Sequence, residues 1–112
     1  MTASDVDGVL AALAEPTRRR LLDLLAARGE ATATALAADL PVSRQAVLKH
    51  LVVLEAAGLV TQYRAGREVR FRVTSERLAT TARWMAGLAA DWDRRLLALK
   101  NAAEATTRTP DH

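Results

Sequence analysis

A short segment near the middle of the chain combines side chains that can form hydrogen bonds with the edges of base pairs. The segment 43–49 contains Arg44, Gln45 and Lys49. Arginine can donate two hydrogen bonds to guanine, glutamine pairs in the same bidentate way with adenine, and lysine can contact guanine or a phosphate. Leu48 lies between them and could contact the methyl group of thymine. These residue types at this spacing predict contact with double-stranded DNA.

A capped helix would hold these side chains on one face. Ser43 is a favourable N-cap, and Gly58 is a favourable stop, so we expect a helix over 43–57. Its apolar residues at helical spacing are Val47, Leu51 and Leu54. The opposite face then presents the candidate DNA contacts Ser43, Arg44, Gln45, Leu48 and Lys49. His50 is expected to be half-buried and either to pack or to contact a phosphate.

Three shorter helices are predicted before this one. The first runs from a cap at Ser4 to about residue 14, the second opens at Pro16 and stops at Gly29, and the third begins at Thr32 or Thr34. The turn 40–42 then leads into the helix 43–57, which is the order of a helix-turn-helix motif. Three arginines, 18–20, oppose the helix dipole at the start of the second helix, so we expect an anionic partner nearby: Asp5, Asp7 or Glu15, or alternatively a phosphate of DNA.

The spacing of apolar residues changes from helical to alternating after Gly58. Segments 59–64 and 68–73 flank a turn that contains Gly66, and this pattern predicts a two-stranded hairpin over 59–74. Arginines lie at the tip and on one face of the hairpin, where they could contact the DNA backbone or the minor groove. The candidate contacts are Arg64, Arg67 and Arg70, with Arg67 nearest the tip.

A last helix over 76–105 is predicted to mediate dimerisation. Its apolar side is too extensive for the surface of a small monomer, so we expect it to pack, together with the first helix, against a second copy of the chain. The candidate interface residues are Leu10, Leu13, Trp84, Leu88, Trp92 and Leu96. Residues 1–105 are therefore expected to form one domain, and residues 106–112 a disordered tail.

Composition further limits the classes of function that we expect for this protein. Residues 17–77 contain eleven basic against six acidic residues, as expected for a surface that meets phosphates. The 112-residue chain has no cysteine and only two histidines, so we expect neither a metal site nor another cofactor. No catalytic constellation is recognisable, and we expect a protein that is not an enzyme. No segment is apolar enough to cross a membrane, and a cytoplasmic location is expected.

The segment 41–60, PVSRQAVLKHLVVLEAAGLV, closely resembles the signature of the arsenic-repressor (ArsR/SmtB) family of bacterial regulators. Segment 13–22, LAEPTRRRLL, is similar to the opening of that family, so the resemblance covers roughly residues 8–75. The resemblance implies a mostly α-helical, winged helix-turn-helix homodimer with five helices, which represses transcription from a palindromic operator. It also implies that residues 43–49 contact the major groove. Leu48 departs from the family, which usually has a small polar residue there.

Other functions remain open at this stage. A winged-helix module that binds an acidic protein partner would show the same arginines without specific binding to DNA. A metal sensor with an unusual site of oxygen ligands is a second alternative, and activation is an alternative to repression. No residue marks a site for an inducer, so the effector is unknown.

Overall fold

A computed structural model of the chain describes residues 3–107. The described elements are α1 (Ala3–Leu13), α2 (Pro16–Arg28), β1 (Ala31–Thr32), α3 (Ala33–Ala38), α4 (Arg44–Ala56), β2 (Val60–Ala65), β3 (Glu68–Val73) and α5 (Glu76–Thr107). Within this range the five predicted helices and the hairpin are confirmed, and the fold is a winged helix-turn-helix. The chain divides into two compact units, of which the first ends at Thr81 and the second begins at Ala82.

Helix boundaries follow the predicted caps in most places. The Ser43 Oγ accepts a hydrogen bond of 3.1 Å from the Ala46 amide, and α2 ends at Gly29, whose φ is +82°. Thr32 caps α3 in the same way, through a 3.1 Å bond from the Ala35 amide. The cap predicted at Ser4 is wrong, because α1 begins at Ala3 and Ser4 lies inside it. At the other end, α5 continues to Thr107 instead of stopping at 105, and the rest of the predicted tail lies outside the described residues.

The sheet has one more strand than the sequence predicts. β3 lies between β1 and β2, and both neighbours are antiparallel to it. β1 consists of Ala31 and Thr32, which pair with Phe71 and Arg70 of the hairpin. Two residues are too few to display the alternation by which strands are recognised in a sequence. This pairing attaches the base of the wing to the segment that leads into α3.

The core of the first unit joins the helices to the wing. Val47, Leu51 and Leu54 of α4 have no exposed surface, and they belong to one cluster with Leu21 and Leu25 of α2. Phe71 of β3 is also buried in this cluster, together with residues of α1, α3 and β2. Burying a side chain of this size stabilises a fold by roughly 1.5–3 kcal/mol. The apolar face of α4 is therefore held firmly, and its other face is free for contacts.

A tight turn at Gly58 directs the chain from α4 into the wing. The Leu59 amide donates to the Leu54 carbonyl and the Gly58 amide to the Glu55 carbonyl, both at 2.9 Å, which is a Schellman arrangement. Gly58 has a φ of +76°, and the side chain of Arg77 passes within 2.5 Å of the point where a Cβ atom would lie. Glycine satisfies both the positive φ and the close approach.

Candidate nucleic-acid interface

The first turns of α4 present the side chains that the sequence singles out. Arg44, Gln45 and Lys49 are exposed, opposite the fully buried stripe of the same helix. Leu48 is only partly buried and packs against the edge of the core. Ser43 is exposed too, but its hydroxyl is used to cap the helix. The arrangement gives one polar, basic face that can enter a major groove, with a leucine at its margin.

The tip of the wing is exposed and basic. The strands β2 and β3 pair from Val60 with Val73 to Ala65 with Glu68, so the turn consists of Gly66 and Arg67. Gly66 has a φ of +63°, which the tight turn requires. Arg64 and Arg67 are both exposed at this end of the hairpin. They therefore lie where a wing can meet the sugar-phosphate backbone or the minor groove.

A cleft of about 650 Å³ lies between α4 and the wing. Arg44 and Leu48 line it from α4, and Arg67 lines it from the tip of the wing. The Nε atom of Arg44 donates a 3.1 Å hydrogen bond to the hydroxyl of Thr34, which links α4 to α3. The structure thus brings one predicted arginine of α4 and one of the wing to the walls of one concave surface.

Arg70 differs from the other wing arginines because two carboxylates hold it. Its guanidinium donates to Glu30 at 2.8 Å and to Glu68 at 3.1 Å. These hydrogen bonds, first that to Glu30 and then that to Glu68, raise the pKa of Arg70 above its ordinary value. Tyr63 of β2 also donates to Glu30, and Arg72 lies 5.4 Å above the tyrosine ring. The charge of Arg70 is therefore largely compensated within the protein.

Glu30 and Tyr63 are the residues of this region that the sequence analysis missed. Glu30 is 33 residues from Tyr63 and 40 from Arg70 along the chain. No local pattern connects positions so far apart, and a tyrosine in a predicted strand is ordinary. Glu30 directly follows Gly29, the glycine that ends α2. This position in a loop is the one local feature that distinguishes Glu30 in the sequence.

The arginines at the start of α2 bind backbone carbonyls. Arg18 donates to the Ala12 carbonyl at 2.6 Å, and Arg19 donates to the Leu13 carbonyl at 2.6 Å. These carbonyls belong to the C-terminal turn of α1, which carries the negative end of its dipole. Glu15 was expected nearby, and it caps α2 by accepting from the Arg18 amide. Two of the three clustered arginines are thus used to join α1 to α2.

His50 faces this same junction. Its Nδ1 atom lies 3.4 Å from Arg18 Nη1 and 3.8 Å from a carboxylate oxygen of Glu15. The predicted half-burial is correct. The contacts connect α4 to the start of α2, so His50 has a packing role in the described structure, and a phosphate contact stays a prediction.

The unit that begins at Ala82 displays a continuous apolar stripe along α5. Trp84, Leu88, Trp92 and Leu96 are between 44% and 56% exposed. They recur at intervals of four residues, which places them along one side of the helix. Leu10 and Leu13, the other predicted interface residues, are half-buried in α1. Exposed apolar surface of this extent is typical of a site of protein association.

Residues 3–107, which the structure describes, contain no group of three or more histidine or acidic side chains arranged to hold a metal ion. None of the helices in this range is long and apolar enough to cross a membrane.

A winged helix-turn-helix with a basic recognition face and a basic wing defines the class of DNA-binding transcriptional regulators. A helix-turn-helix domain family model matches residues 13–63. The transcriptional repressor SdpR of Bacillus subtilis is 30% identical over 80 residues, which cover 71% of this chain and 88% of that repressor.

Solved structures agree with the sequence comparison. An ArsR-like transcriptional regulator from Rhodococcus sp. RHA1 superposes with a TM-score of 0.80 at 45% identity, over 89% of this chain and 93% of that one. A homodimeric winged helix-turn-helix DNA-binding domain from Mycobacterium bovis, Mb0332, superposes with a TM-score of 0.63 at 29% identity, over 79% and 80%. The chain belongs to the ArsR family of transcriptional regulators, as the resemblance of segment 41–60 indicated, and it has no cysteine.

Proposed function

We propose that the protein is a homodimeric repressor that binds a palindromic operator, with α4 in the major groove and the wing on the flanking backbone. The observation that supports this most directly is the shared cleft, in which Arg44 of α4 and Arg67 of the wing line one concave surface. A helix in the groove and a wing on the backbone would need basic groups on both walls of such a surface. Two copies would place their α4 helices in successive major grooves, about 34 Å apart.

The apolar stripe of α5 supports the dimer. Its side chains are more than two-fifths exposed, and a second copy of α5 would remove this surface from water. The similar domain Mb0332 is a homodimer. The similar protein SdpR is a repressor, which supports repression over activation. Leu10 and Leu13 of α1 remain part of the proposed interface.

Binding to DNA as a function of salt tests the proposal. Fluorescence polarisation would compare duplex from the region upstream of the protein's own gene with scrambled duplex, over about 50–200 mM salt. We expect tight, strongly salt-dependent binding that prefers the upstream duplex. If neither duplex binds, the proposal is wrong, and an acidic protein partner of the winged helix becomes the better hypothesis.

The variant Gln45→Ala is expected to lose preference at one base pair of each half-site. An exposed glutamine in the first turns of α4 can form two hydrogen bonds with adenine, and alanine can form neither. The expected loss of discrimination is about 1–3 kcal/mol. Affinities for a set of operators with single base-pair changes measure it. If the variant keeps the wild-type ratio between operator and scrambled duplex, Gln45 does not contact a base.

The variant Arg67→Ala is expected to weaken binding to every sequence alike. Its exposed guanidinium at the wing tip is proposed to contact phosphate, which is the same in all sequences. The slope of log affinity against log salt should fall by about 1. Arg94→Ala is the matched control, because it removes an equally basic side chain from α5, where Arg94 pairs with Asp91. A change of slope in the control but not in Arg67→Ala would contradict the assignment.

A further inference from the structure

We infer that Glu30 is a positioning residue for DNA binding: its carboxylate holds the wing at the angle at which Arg67 reaches the duplex that α4 contacts. This inference rests on the proposed function. Glu30 is proposed to act through its contacts with Tyr63 and Arg70 of the wing.

The position of Glu30 is determined by the short strand that follows it. Ala31 and Thr32 pair with β3, and Thr32 also caps α3. The backbone at Glu30 is therefore attached on one side to the wing and on the other to the helix-turn-helix. A side chain at this point can link the orientation of the wing to the position of α4.

The carboxylate of Glu30 binds both strands of the wing at the same level. Tyr63 of β2 and Arg70 of β3 are directly opposite each other in the ladder. The tyrosine hydroxyl donates to one carboxylate oxygen, and Arg70 Nη1 donates to the other at 2.8 Å. Glu68 holds the second terminal nitrogen of Arg70 at 3.1 Å, and Arg72 covers the Tyr63 ring. One carboxylate thus contacts both strands of the hairpin at a single cross-strand pair, next to the residues through which β1 pairs with β3.

The hairpin beyond this pair is held by the pairing of its own two strands and is largely exposed. Arg64 and residues 66–69 are exposed, so the tip projects beyond the Tyr63–Arg70 pair. A small rotation at the base would displace Arg67 by a larger distance at the tip. The contacts of Glu30 therefore control whether the wing and α4 can engage one duplex together.

The direction in which DNA affinity changes distinguishes a positioning role of Glu30 from a purely electrostatic effect of its charge. A carboxylate near a DNA-binding surface repels phosphates, so its neutralisation alone should strengthen binding. If Glu30 positions the wing, Glu30→Gln should weaken binding in spite of the lost negative charge. Asp39→Asn is the matched control, because Asp39 is also a partly exposed carboxylate in an ion pair, and its partner is Arg28 of α2, which is not part of the wing.

The experiment is a double-variant cycle on the full chain. Affinity for operator duplex and its salt dependence are measured for wild type, Glu30→Gln, Arg67→Ala, the two combined, and Asp39→Asn. We expect Glu30→Gln to lose about tenfold in affinity, as a lost charge-assisted contact does, and to lower the salt slope by about 1. The combined variant should bind no more weakly than Arg67→Ala alone, and Asp39→Asn should bind at least as tightly as wild type.

Three results would overturn the inference. If Glu30→Gln behaves as Asp39→Asn does while Arg67→Ala is impaired, Glu30 does not position the wing and the proposed function stands. If the effects of Glu30→Gln and Arg67→Ala multiply, Glu30 acts independently of the wing. If the wild-type chain shows no salt-dependent binding to duplex, the inference fails together with the proposed function.

Tyr63→Phe repeats the test without a change of charge and with a smaller risk to folding. It removes one hydrogen bond to Glu30 and keeps the aromatic ring beneath Arg72. We expect weaker binding when Arg67 is present and no further weakening when Arg67 is alanine. Equal weakening in both backgrounds would overturn the inference, and circular dichroism of each variant checks that the helices are retained.

Discussion

The double variant Leu88→Glu, Leu96→Glu is expected to be monomeric and to bind operator about 10²–10⁴-fold more weakly than the wild-type chain. Both leucines are exposed on the apolar stripe of α5, which we propose to be covered by a second copy. Two charges placed in that interface would be buried without partners. A monomer occupies one half-site at a time, so it loses the gain in affinity that a dimer obtains by binding two half-sites at once. Light scattering gives the mass, and fluorescence polarisation gives the affinity.

Leu97→Glu is the matched control for this experiment. Leu97 is 57% exposed, close to the 56% of Leu96, but it lies about 100° further around the helix. The control introduces a single glutamate into the same helix on the other side of the stripe, and it should remain dimeric. A dimeric Leu88→Glu, Leu96→Glu variant with unchanged affinity would mean that the stripe does not form the interface.

The features that the sequence predicts correctly depend on neighbouring residues. The cap at Ser43, the buried stripe Val47, Leu51 and Leu54, and the turn at Gly58 are all set by spacings of a few residues. Cap chemistry and helical periodicity act over the same short range. Helix α4 and its exposed face could therefore be predicted before any tertiary contact was known.

The features that the sequence misses depend on distant residues. β1 forms because the hairpin supplies a partner about 40 positions away, and Glu30 obtains its role from the same pairing. Arg70 and Arg67 look alike in the sequence, although Arg70 is engaged by two carboxylates and Arg67 is exposed. Side-chain charge alone does not separate an arginine that holds the wing from one that is available to DNA.

The arginines 18–20 illustrate the same limit. The sequence predicts an acidic partner because cations at a helix N-terminus are unfavourable. Glu15 is present as the cap, but the guanidinium groups of Arg18 and Arg19 go to carbonyls at the end of α1. Backbone acceptors cannot be identified from residue types, so these hydrogen bonds to carbonyl groups could not be predicted. These hydrogen bonds give the two arginines a structural use, and a contact with phosphate stays a prediction.

The variant Leu51→Ala is expected to lower the free energy of unfolding by about 2–5 kcal/mol. Leu51 has no exposed surface and lies in the middle of α4, within the cluster that joins the helices to the wing. Alanine would leave a cavity that the surrounding side chains fill only in part. Small domains are stable by about 5–15 kcal/mol, so the loss is a large fraction of the total. Urea unfolding followed by circular dichroism measures it.

Val52→Ala is the control, because Val52 is the next residue of α4 and is 68% exposed. Its effect should stay within about 0.5 kcal/mol. All variants are compared at one protein concentration, since a dimer unfolds at a concentration-dependent midpoint. Equal effects of the two variants would contradict the assignment of Leu51 to the core. At urea concentrations below its unfolding midpoint, Leu51→Ala should still prefer operator over scrambled duplex, because the residues proposed to contact DNA lie on the opposite face of α4.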